Sequence, residues 1–242
     1  MQKHLSMPLR GYLRMTAVML PALPVLGLGI SMCLFAGLGA DVNTSFQQGI
    51  GRMIGMEAGT VNLLFNTLVL VIYCFADRSL VGIGSLLVGF GLGPLMNLFE
   101  ALLHRLIPGT PSMAIRVLFC VGGVTVSCVA LAWYVQLRMG VQPLDMLKLT
   151  ISKTLHCSYG VGVYIWSAIA LGLTFVFHGD IGLGTVLNLL LAGLLCDLFL
   201  PLLQPAVRRL CGPYWKGDAV GTRSGLLKKL FRKKKVSETK RA

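Results

Sequence analysis

Charge is what this sequence has least of. Of its 242 residues only 13% are charged and nine are acidic, against ~25% charged in an ordinary soluble domain. That shortage excludes a typical water-facing enzyme surface. The four histidines (His4, His104, His156, His178) are dispersed, and no His-Glu-x-x-His, Walker loop or nucleophile elbow occurs. Seven cysteines are scattered, mostly inside apolar runs, with no Cys-x-x-Cys. Such cysteines serve as small apolar fillers rather than disulfides or metal ligands. The expectation is a protein that is no enzyme, with no catalytic residues, no metal and no cofactor.

Hydrophobic residues make up 55% of the chain. They gather in runs long enough to cross a hydrocarbon core, which takes about 20 residues. Six such runs cover residues 15–38, 57–76, 82–106, 114–137, 159–177 and 182–203. The fold class expected is therefore an all-α membrane protein with six transmembrane helices. Pro21 and Pro24 are placed to kink the first run. That run is too long for a secretory h-region of ~7–15 residues and reads as an uncleaved span.

The chain also repeats itself. Shifted by one hundred positions, GIGSLLVGFGLGPLMNLFE at 82–100 matches GLGTVLNLLLAGLLCDLFL at 182–200. Gly82, Gly84 and Gly93 recur as Gly182, Gly184 and Gly193, Ser85 as Thr185, and Asn97 as Asp197. A shift of 101 sets Gly39, Arg52 and Gly59 opposite Gly140, Lys153 and Gly160. Pro108, Gly109, Thr110 and Pro111 break the chain between the copies. The organisation read from this is a basic N-terminus (1–14), a first three-span repeat (15–107), a second (112–207) and a basic tail (208–242). Each copy holds a more polar stretch after its first span, 41–56 and 143–157, either re-entrant or interfacial.

A net charge of +13 would suggest nucleic acid if it were spread over one face. Most of it lies at the two ends, so no nucleic-acid partner is expected. Threading six spans from a cytoplasmic N-terminus puts nineteen Lys and Arg inside and three (Arg52, Arg105, Arg116) outside, as the positive-inside rule requires. Both termini are then cytoplasmic, in a bacterial cytoplasmic membrane. Three spans per copy is an odd number, so the second copy must be inverted. Inverted repeats are a common plan of secondary transporters, with the site where the halves meet.

Candidate functional residues follow from this plan. Asn62 and Asn66 share one helix face, and with Asn97, Asn188 and Asp197 they are candidates to line a polar path. Polar glue between helices is the competing role. Gly82, Gly84, Ser85, Gly182, Gly184 and Thr185 open two helices, where free N–H groups attract anions. The plainer expectation there is an N-cap after a tight turn. Gly89 and Gly93 are read as close helix packing. In the tail, Lys228, Lys229, Arg232, Lys233, Lys234 and Lys235 surround an apolar stripe and suit anionic lipids of the bilayer.

The order of Leu38-Gly39 after a span, Gly-Ile-Gly-Ser at 82–85, Met139-Gly140-Val141-Gln142-Pro143-Leu144-Asp145 and Gly182-Leu183-Gly184-Thr185 resembles the YitT/YczE family of bacterial integral membrane proteins, nearer the YczE side. The resemblance covers roughly residues 10–205. The chain departs from longer YitT-type members in having a basic tail in place of their soluble domain. The resemblance implies a multi-pass cytoplasmic-membrane protein and brings no catalytic or ligand residues with it. The functional expectation is a transporter or permease-like protein for a small polar solute or ion. The alternative is a regulatory or scaffold protein that transports nothing.

Overall fold

The structure is a computed structural model. It describes residues 9–78, 80–109, 111–137, 139–140, 142–156 and 159–214; at residues 9, 159–161, 163, 189, 192–193 and 197 the backbone alone is described. The basic tail residues Lys228, Lys229, Arg232, Lys233, Lys234 and Lys235 lie outside the described residues. The described elements are helical: α1 (Leu9–Met19), α2 (Ala22–Ala36), α3 (Val42–Ile54), α4 (Ala58–Ala76), α5 (Ile83–Leu106), α6 (Met113–Leu137), α7 (Pro143–Thr154), α8 (Tyr159–Val176) and α9 (Leu183–Cys211).

Local chemistry sets these limits. The first apolar run divides at Leu20 and Pro21, because proline removes a helix N–H and crowds the preceding turn. α2 stops at Gly37, whose φ of 58° is left-handed and whose N–H closes on the Leu34 carbonyl at 3.0 Å. The Asp41 carboxylate caps α3 by accepting the Asn43 N–H at 3.2 Å. Pro143 opens α7 at a position where no N–H is needed.

Among the described residues, four helices are long and apolar enough to cross a membrane: Arg10–Ala36 taken through its break, Ala58–Ala76, Ile83–Leu106 and Met113–Leu137. α8 adds a shorter apolar run, Tyr164–Val176. The outward surface is apolar too, with Phe75 82% exposed and Leu118 and Leu194 each 70%. An apolar surface this broad suits lipid and not water.

The helices form two groups. α1, α2, α5, α6 and α9 share one core built on Leu26, Leu34, Leu92, Met96, Val124 and Leu137. α2 and α6 cross closely at Gly29, where an added Cβ would stand 2.7 Å from the Ser127 nitrogen and 2.8 Å from the Gly123 oxygen. α3, α4, α7 and α8 pack around Phe46, Leu144, Trp166 and Ala170. α4 joins the groups by lying along α5 through Gly59 and Gly93; no comparable packing links α8 to α9 among the described residues. α3 and α7 each turn one face into the protein. α3 buries Thr44, Ser45, Phe46 and Gln47, and α7 buries Leu144, Met146 and Ser152.

Contacts between the two halves come in reciprocal pairs. The Gly84 N–H at the start of α5 donates to the Met139 carbonyl after α6, at 2.9 Å. The Gly184 N–H at the start of α9 donates to the Leu38 carbonyl after α2, at 2.8 Å. Arg52 on α3 makes a two-pronged bond to Asp180, before α9, at 2.7 and 2.6 Å. Lys153 on α7 meets Asp77, before α5, at 3.0 Å. Both ion pairs are solvent-facing, so each is expected to contribute less than about 1 kcal/mol. Asp77→Lys should lower the thermal midpoint slightly, and adding Lys153→Asp should restore it. A double mutant no better than the single one would show that the two charges do not couple.

Candidate functional site

Helix geometry places Asn62 and Asn66 one above the other on α4. They do meet. Asn66 Nδ2 donates to Asn62 Oδ1 at 2.8 Å, and Asn62 Nδ2 donates to Gln47 Oε1 on α3 at 2.9 Å. Three side-chain amides thus form a ladder from α4 to α3. Asn62 is 4% exposed, and Gln47 and Asn66 are fully enclosed. At the ladder's two ends, Gln47 Nε2 and Asn66 Oδ1 have no hydrogen-bond partner among the described residues. The Ser45 hydroxyl, also on α3, is buried and unpartnered too.

The surroundings are apolar and aromatic. Phe46 meets Phe65 edge-on with centroids 5.4 Å apart. Trp166 on α8 donates its indole N–H to Asn43 Oδ1 at 2.7 Å, tying α8 to the start of α3. Tyr73 at the far end of α4 donates to the Met146 carbonyl of α7 at 2.9 Å and also contacts Thr150. These contacts hold α3, α7 and α8 around α4 and fix the ladder's position.

The other residues singled out in the sequence fall elsewhere. Asn97 Nδ2 donates to Thr60 Oγ1 at 2.9 Å, so it joins α5 to α4 instead of extending the ladder. Asn188 is half-buried on α9 and makes no hydrogen bond to the ladder among the described residues. Asp197 lies within α9, and its side chain is outside the described residues. The Gly82 N–H points at Ser85 Oγ at 3.3 Å, and the Gly182 N–H at Thr185 Oγ1 at 3.4 Å. With Gly84 and Gly184 bonded across the halves, these N–H donors have acceptors inside the protein. Gly93 lies against the Gly59 carbonyl, and Gly89 against Leu70 and Pro143. Among the described residues no three His, Cys, Asp or Glu are grouped as a metal site.

A profile described as a family of unknown function, DUF6198, matches residues 13–201. The chain belongs to DUF6198. This DUF6198 protein is 26% identical over 180 residues to the uncharacterized protein YyaS of Bacillus subtilis, covering 74% of this chain and 89% of YyaS. It is 27% identical over 192 residues to an uncharacterized protein of Haemophilus influenzae, covering 76% of this chain and 82% of that one. No solved structure matches it.

Gln47 was not legible as a site residue. It lies in a polar stretch beside Gln48, and nothing in the pattern says which of the two turns inward. The one available hint was helical spacing: Thr44, Gln47 and Gly51 fall on one side of α3 and are all buried.

Proposed function

We propose that this DUF6198 protein is a permease-like membrane protein of six spans in two inverted three-helix repeats, moving a small polar solute or ion across a bacterial cytoplasmic membrane. The observation that carries the reading is the reciprocity of the half-to-half contacts. Gly84–Met139 mirrors Gly184–Leu38, and Arg52–Asp180 mirrors Lys153–Asp77. A two-fold relation between halves of odd span number inverts one against the other, the plan of many secondary transporters. In this reading α8 and α9, of 18 and 29 residues, are the fifth and sixth spans. Asp197 on α9 is the ionisable candidate for coupling, and the basic tail is the proposed contact with anionic lipid.

The orientation is tested with single cysteines in a background freed of the native ones. Met53, 64% exposed after α3's buried turns, and Leu155, 58% exposed after α7, are not covered by other helices. Met53→Cys is expected to label only from outside and Leu155→Cys only from inside. Labelling of both from one side would remove the inversion. Transport is tested with vesicles holding the full chain and a panel of urea, glycerol, alanine, sodium, potassium and phosphate. Release of at least one faster than from protein-free vesicles is expected; no difference for any would sink the permease reading.

A further inference from the structure

We infer that the amide ladder Gln47–Asn62–Asn66 binds a small uncharged solute carrying both hydrogen-bond donors and acceptors, of the urea, amide or polyol class. The inference rests on the permease reading and narrows it to a ligand class and a place.

The ladder's own chemistry selects that class. A side-chain amide offers two donors and an acceptor with two lone pairs. Within the ladder, Asn62 uses its oxygen and one donor, while Gln47 is held through its oxygen and Asn66 through its nitrogen. The ladder atoms left with no partner at all are a donor, Gln47 Nε2, at one end and an acceptor, Asn66 Oδ1, at the other. Burying a polar group unpaired forfeits its hydration with nothing in return. A ligand group that accepts pairs with Gln47 Nε2 and one that donates pairs with Asn66 Oδ1, and urea, amides and polyols carry both kinds of group without a charge.

An ion fits worse. Taking an ion out of water into a buried site is strongly unfavourable unless a counter-charge or a full set of ligands replaces its hydration. The charged groups of α3 and α4 are otherwise engaged or turned away: Asp41 caps α3, Arg52 is paired with Asp180, and Glu57 is exposed. For a cation the ladder offers one open oxygen, Asn66 Oδ1, where hard cations take six or more. For an anion it offers one open donor.

The test uses the full chain in vesicles, with urea and glycerol as uncharged probes and sodium, potassium and phosphate as charged ones. Wild type is expected to pass urea or glycerol at least about tenfold faster than protein-free vesicles, with the ions held back. Asn66→Leu and Gln47→Met, each close in volume to the residue replaced, are expected to remove that gain while eluting and melting as folded protein. Passage of ions with urea and glycerol retained would overturn this inference and leave the permease reading standing. Passage of none of these would overturn this inference, and the permease reading with it if alanine is held back too. Unchanged urea and glycerol passage in folded Asn66→Leu and Gln47→Met would place the site elsewhere and overturn the assignment to the ladder. The wild-type selectivity needs no variant, so it decides the class even if a substitution fails to fold.

Discussion

Gly140→Ala is expected to destabilise the protein by about 3 kcal/mol, roughly a hundredfold in the ratio of folded to unfolded chain. Two costs add at this position. Gly140 has φ 133°, a conformation that side chains rarely adopt, and such backbone strain alone runs to about 1–3 kcal/mol. The added Cβ would also lie 2.9 Å from Gly82 Cα and 3.0 Å from Gly82 N, and closer still to Ser85 Oγ. Relief would require moving the start of α5 and so breaking the Gly84–Met139 bond. Gly39 is the counterpart, with φ 91° and its Cβ position 2.9 Å from Gly182 N, so Gly39→Ala should behave alike. Gly55→Ala is the control. Its φ of 72° is equally left-handed, but nothing stands within 4 Å, so only the strain of about 1 kcal/mol remains. Denaturation of the purified full chain measures all three. Equal losses at Gly140 and Gly55 would mean that the junction with α5 is not closely packed.

The second large effect is expected where α4 crosses α5. A Cβ on Gly59 would run into the Gly93 carbonyl and Asn97 Oδ1; one on Gly93 would stand 2.9 Å from Leu63 Cβ and 3.1 Å from Leu63 N. Much of this is backbone, which cannot rotate aside as a side chain can. Gly59→Leu and Gly93→Leu should therefore force the helices apart and break the Asn97–Thr60 bond. The combined cost is expected to exceed about 3 kcal/mol, seen as loss of monodisperse protein or a large fall in thermal midpoint. Gly172 on α8 has nothing within 4 Å, and Gly172→Leu should change stability by less than about 0.5 kcal/mol. If Gly172→Leu proved as damaging as Gly93→Leu, the damage would come from hydrophobic load and not from the crossing.

Much of this architecture can be read from the sequence, and the reasons differ by element. The runs at 57–76, 82–106 and 114–137 fall within a residue of α4, α5 and α6 at each end. Long apolar stretches between glycine, proline and charge leave the chain few other options. The first run is broken at Pro21, where proline's missing N–H outweighs apolar continuity. α3 and α7 are legible as helices, but the residues they bury are not. Their polar residues find partners on distant segments, and no local pattern records that. The same limit applies to the site. Asn62 and Asn66 are paired by helical spacing alone, whereas Gln47 joins them only when α3 folds back on α4. Asn97, matched to Asp197 by the repeat, bonds Thr60 because α5 presents it to the α4 crossing.

The bonds from Gly84 to Met139 and from Gly184 to Leu38 also constrain how the chain is made. When α5 leaves the ribosome, the carbonyl that its first turn requires has not been synthesised. The helix must enter the membrane with that N–H unsettled, and the junction closes only after α6 has followed. Leu38 waits longer still, until the start of α9 arrives. Helix insertion and assembly are therefore separate stages for this protein. A chain halted after α5 should be threaded yet unfinished, a substrate for quality-control proteases, and supplying residues 112–242 as a second polypeptide should protect it.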